Sequence, residues 1–183
     1  MERKQILSLV IVLSVVMIAI ATAGATRAFA DDPCIGFKWD VRKEHALFGG
    51  APASLSAGKD LTSAPTIVAG RLYALQLAPQ AAVSFAAAPG KKSEPDGAYA
   101  GLAVLQLETA GDYRVSVDAP VWIDVAADGK LAAVEDYQGL HSCDAPHKIV
   151  EFNLAGAARF VLQLSGAPKA EIRLTVTQAP PRT

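Results

Sequence analysis

From Gly70 to Thr177 the chain repeats one pattern, short runs alternating apolar and polar residues, each closed by a Gly, Pro or Asp-containing turn. Alternation with period two places one face of a strand in a core and the other outward. Strands spaced at roughly eight to twelve residues point to a sandwich or barrel. Leu72–Leu77, Leu102–Glu108 and Tyr113–Asp118 read as strands, as do Val150–Leu154, Phe160–Leu164 and Ile172–Val176. Ala82–Phe85 is a further candidate. Val121–Ala127 and Lys130–Val134 flank Asp128-Gly129, a dipeptide suited to a two-residue hairpin turn with positive φ at both positions. The expected fold is all-β, an antiparallel two-sheet sandwich of jelly-roll type. An internal echo runs through it: Leu105–Val125 and Val150–Val176 each read strand, Ala-Gly, strand, Pro-containing turn, strand, and Leu-Gln-Leu recurs at 75–77, 105–107 and 162–164. Two hairpin-like units stacked as two sheets would produce it.

The ends of the chain have a different character. Glu2, Arg3 and Lys4 precede an apolar run from Ile6 to Ala23, and Ala28-Phe29-Ala30 fits the small-x-small site at which a signal peptidase cuts. The expected organisation is a signal peptide over 1–30, an N-terminal lead over 31–66, a β-sandwich domain over 67–178 and a flexible tail over 179–183. The apolar run is also nearly long enough to cross a bilayer, so an uncleaved N-terminal anchor is the alternative. In the lead, Asp40 can cap a short helix over Val41–Phe48 that Gly49-Gly50 ends, and 51–66 reads as a surface connection. The expected address is the periplasm or the medium.

Charge narrows the partners. The 183 residues carry a formal net charge of −1, with basic residues scattered rather than clustered. Nucleic acid and anionic membrane surfaces both need concentrated positive charge, so neither is expected. An envelope protein or glycan remains. Cys34 and Cys143 are the two cysteines, and in an exported chain an even count predicts a disulfide.

Chemistry-bearing residues are few. His141-Ser142-Cys143-Asp144-Ala145-Pro146-His147 places two imidazoles and a sulfur in one loop, and His45 or Glu151 could complete a copper or zinc site. His45, His141 and His147 are thus the candidate metal ligands, against a leading expectation of no cofactor. Asp118, Asp124, Asp128, Glu135 and Asp136 gather around the hairpin, without the spacing of a calcium loop. Trp122 and Asp124 share one strand face, a surface that could stack on a sugar ring. Tyr113, after a Gly-Asp turn, is a candidate for the same surface, and also a structural corner residue whose hydroxyl would reach a nearby backbone group. No nucleophile elbow, phosphate-binding glycine loop or CxxC occurs.

Ala110-Gly111-Asp112-Tyr113-Arg114-Val115-Ser116-Val117 leading into Trp122-Ile123-Asp124-Val125, with Cys143 ahead of His147-Lys148 and the lead Trp39-Asp40-Val41, resembles a family of small exported bacterial proteins without established function. Its members are often labelled homogentisate 1,2-dioxygenase. That enzyme is a much larger cytosolic cupin holding iron with two histidines and a glutamate, whereas this chain has three histidines in all. The strand pattern is also similar to pre-peptidase C-terminal-type β-sandwich modules, which assist secreted enzymes without catalysing. The leading expectation is a non-enzymatic exported module that binds an envelope protein or glycan, with a metal-dependent enzyme or a copper or zinc carrier as the alternatives.

Overall fold

The computed structural model describes residues 34–91, 96–155 and 159–180. The expected signal peptide, most of the polar loop at 91–97, the Gly156 turn and residues 181–183 lie outside them. Two mixed sheets pack face to face. Sheet I joins β1 (Ala53–Ser56), β3 (Leu72–Gln76), β12 (Glu171–Gln178), β6 (Gly111–Val117), β10 (Lys148–Leu154) and β9 (Val134–Gly139), in the order β1-β3-β12-β6-β10-β9. Sheet II joins β2 (Thr66–Val68), β5 (Tyr99–Gln106), β11 (Phe160–Ala167), β7 (Trp122–Ala127) and β8 (Lys130–Leu131) in that order, with β4 (Ala78–Pro79) paired to β5. One helix, α1 (Arg42–Phe48), lies against β12.

The internal echo corresponds to an interlock rather than to stacked hairpins. β5, β6 and β7 alternate between the sheets, and so do β10, β11 and β12. The middle strand of each unit lies between the outer strands of the other: β6 pairs with β10 and β12, and β11 with β5 and β7, all antiparallel. Each crossing carries the chain from one sheet to the other, so both units contribute to one core. Tyr113, Val115 and Val117 of β6 enter it with Val150, Phe152 and Leu154 of β10, opposite Leu162 and Leu164 of β11. These side chains are nearly or wholly inaccessible, and burial on this scale is the main stabilising term.

Local signals hold where they depend on neighbours in sequence. Asp128 and Gly129 take φ of 51° and 74°, joining β7 to β8 as a two-residue hairpin. Tyr113 is buried and its hydroxyl donates to the Thr109 carbonyl at 2.8 Å, which makes it a structural corner. The helix begins one residue later than expected, at Arg42, with Val41 rather than Asp40 as its N-cap and no side-chain cap bond. Asp40 accepts from the Arg42 amide at 3.1 Å, and Gly49 ends the helix in right-handed geometry, its N–H bonded to the His45 carbonyl.

Four expectations change. The sandwich is not wholly antiparallel: β1 runs parallel to β3, and β2 to β5. Between β1 and β3 the chain crosses to sheet II and back, reversing twice, so the two strands share a direction. The connection at 51–66 therefore supplies an edge strand to each sheet. Ala82–Phe85 forms no strand; a 3₁₀ turn at Gln80–Ala82 leads into an irregular strap across sheet II, with bends at Ala86, Ala87 and Gly90. The second hairpin arm stops at Leu131, and the chain crosses to sheet I as β9. The tail is tied at its start, where the Ala179 amide donates to the Asp112 carbonyl at 2.8 Å. No helix among the described residues is long and apolar enough to cross a membrane.

Candidate functional site

The cysteines form the Cys34–Cys143 disulfide, with the Cα atoms 4.7 Å apart and both residues buried. It fastens the lead to the loop between β9 and β10. That bond removes Cys143 from any metal site. His141 and His147 remain together, their rings 5.4 Å apart edge to face, but His45 stands on α1. Among the described residues no group of three or more His, Cys, Asp or Glu side chains is placed to hold a metal ion. The three-histidine ligand set is therefore not assembled.

The acidic residues around the hairpin are dispersed as well. Asp118 accepts from the Arg173 amide at 2.8 Å and from its guanidinium at 3.1 Å, and Asp136 pairs with Lys38. Asp124 is buried, its carboxylate accepting from the Trp122 indole at 3.1 Å and the Gly90 amide at 3.0 Å. The ammonium of Lys148 lies 5.0 Å from the centre of the Trp122 ring and donates to the Val121 carbonyl. Burial, and then the nearby charge of Lys91, push the Lys148 pKa down. The Trp122 and Asp124 face is thus occupied by the protein itself, and Tyr113 is committed to its corner.

An opening lies elsewhere, a cleft of about 860 Å³ between α1 and the adjoining end of sheet I. Asp40, Arg42, Lys43 and Glu44 form one wall; Asp112, Arg114, Asn153 and Gln178 form the other. Lys43 and Gln178 continue into a smaller cleft of about 340 Å³ that reaches Gln106 and Glu108. Arg42 grips Asp40 with two bonds, Nε to Oδ1 at 2.9 Å and Nη2 to Oδ2 at 2.6 Å. Bonding to Arg42 lowers the Asp40 pKa to about 2, so this exposed carboxylate stays ionised under ordinary conditions. The Asn153 amide donates to Asp112 at 2.7 Å, and the Gln178 amide to the Thr109 hydroxyl at 3.2 Å.

Behind this rim sits a buried polar layer. Arg114 pairs with Glu151 at 2.9 Å, both side chains less than a tenth exposed. Its guanidinium also lies 5.0 Å from the centre of the Trp39 ring and reaches the Asp40 carbonyl at 3.3 Å. Glu44 is 2% exposed and accepts from the Thr177 hydroxyl. Among the described residues the cleft lining holds carboxylates, planar amides, guanidinium groups and the Lys43 ammonium. Such groups bind hydroxyls and charges.

None of these rim residues is marked by a motif. Asp40, Asp112, Asn153 and Gln178 come from four segments, and only the pairing of β6 with β10 and β12 brings the last three together. The Gly111-Asp112 turn ahead of Tyr113 was the nearest sequence signal, legible as a corner rather than a rim. No family model matches the chain, and no curated protein matches it.

Proposed function

We propose that the protein is an exported, non-enzymatic β-sandwich module that holds an envelope glycan in the cleft beside α1. One observation carries this reading: a single opening lined on both walls by charged and amide side chains from α1, β6, β10 and β12. Polar groups presented from two facing walls suit the hydroxyls of sugars, and the mixed charge suits a glycan bearing both carboxylate and amine groups. Export is supported by the signal-like N-terminus and by the disulfide, which persists in an oxidising space.

The test uses soluble glycan–peptide fragments released from peptidoglycan. In a Trp122→Phe background Trp39 is the remaining indole, adjacent to the rim through Arg114. Its fluorescence should shift on adding the fragments, and Asp112→Ala should weaken the response at least tenfold with the fold intact. A flat titration across fragments of differing composition would rule the glycan out. The reading would then pass to an envelope protein docking at the outer edge of β9. There Ile35, Val134 and Tyr137 are exposed, and Tyr137→Glu should abolish such docking.

A further inference from the structure

α1 covers a face that is built for water. Val115 and Val117 point into the core, so Arg114 and Ser116 of β6 point outward, and on β12 Thr175 and Thr177 do the same. Ser116 and Thr175 are direct cross-strand partners, and both are wholly buried. Among the described residues neither the Ser116 nor the Thr175 hydroxyl has a hydrogen-bond partner. Hydroxyls buried without partners oppose the closed arrangement, and they regain hydrogen bonds as soon as water reaches them.

The cover itself is slight. α1 is seven residues long and buries Glu44 and Phe48, and a helix of that length has little stability away from its docking face. Two of its bonds to the sheet are long, the Arg114 and Arg173 guanidinium groups reaching the Asp40 and Phe48 carbonyls at 3.3 Å and 3.4 Å. Both ends of the segment are nonetheless fixed, by the Cys34–Cys143 disulfide before it and by β1 after it. A tethered segment of this kind can lift without being lost.

We propose that α1 undocks as a unit, uncovering the hydroxyl face of Ser116, Thr175 and Thr177 and extending the cleft across it to form the full glycan site. The extension rests on the cleft being the ligand site; the undocking does not. Because Asp40, Arg42, Lys43 and Glu44 form one wall of the cleft, any movement of α1 reshapes it.

Hydrogen exchange of the intact, oxidised protein tests this, using Ser116→Ala with Thr175→Val, or Thr175→Val alone if the pair disturbs folding. In the wild type, amides of α1 should exchange at least tenfold faster than those of β12. Removing the orphaned hydroxyls favours the docked state, so α1 exchange should slow at least fivefold in the variant. Exchange of α1 at the β12 rate would overturn the proposal, because α1 would then open only with the whole domain. An α1 rate unchanged by the variant would also overturn it, because the helix would merely fray without uncovering the hydroxyls. Peptidoglycan fragments are titrated in parallel. Wild-type binding that weakens in the variant supports the extended site, and binding of equal strength removes it. Absence of binding with exchange as expected removes the glycan reading and leaves the undocking in place.

Discussion

The two outer faces of the sandwich carry similar residues and are closed in opposite ways. On sheet II the strap lies over Gln163 and Asp124, both buried. The Ala86 and Ala87 amides donate to the Gln163 carbonyl oxygen at 3.1 Å and 3.2 Å, and its amide returns a bond to the Ala87 carbonyl at 3.0 Å. With the Gly90 amide on Asp124, backbone and side chain satisfy one another along the strap. On sheet I the cover is a short helix, whose backbone meets the sheet at its C-terminal end, where the Phe48 carbonyl accepts from the Arg173 guanidinium at 3.4 Å. The rest of the cover is held by side chains, by a cation over Trp39 and by a disulfide, and two hydroxyls beneath it have no partner among the described residues. The strap satisfies its polar face through consecutive backbone amides, whereas the helix leaves part of its face unsatisfied.

Three substitutions press on this difference. The largest effect is expected from Cys34→Ser, which releases the cover of sheet I from the β9–β10 loop. The bond closes a sequence separation of 109 residues, and in the chain-entropy model its loss costs ~4–5 kcal/mol. Thermal unfolding under non-reducing conditions reads the change, and an unaltered midpoint would show that the lead is held without it. Next comes Arg114→Met, which takes the guanidinium away from Glu151 beneath the cover. Removing one member of a buried ion pair costs about 3 kcal/mol, and urea denaturation at neutral pH measures it. The smallest is Gln163→Leu, removing three hydrogen bonds from a strap that can partly turn to water, at a cost of about 2 kcal/mol. Hydrogen exchange should then rise at Ala86 and Ala87 and remain unchanged in α1. Equal loosening of both covers would mean that the faces are not independent.

The sheet residues were legible where each strand carries its own pattern. Tyr113-Arg114-Val115-Ser116-Val117 alternates, and the structure places its odd members inside and its even members outside. β9 escaped notice because Val134-Glu135-Asp136-Tyr137 has little to bury on either face; its register comes from β10, with a bulge between Glu151 and Phe152. β1 and β2 escaped because they are short edge strands whose partners lie beyond an intervening crossing. Trp122 and Asp124 do share a face as their spacing indicates, but a strap whose irregular backbone carries no apolar signature reaches Asp124 through Gly90.

By itself the sequence determined the class of fold, the Asp128-Gly129 turn and the Tyr113 corner, because these depend on periodicity and on residues a few positions apart. The pairing of Cys34 with Cys143 required only that there be two cysteines. Tertiary structure alone decided the interlocking of the strand units, the parallel edges and the cleft. Each of those joins residues from distant segments, and their proximity follows from how crossings between the sheets are ordered, which no local pattern encodes. It also decided which polar residues are satisfied: Gln163 met the Ala86 and Ala87 backbone, while Ser116 and Thr175 lie buried without a partner among the described residues.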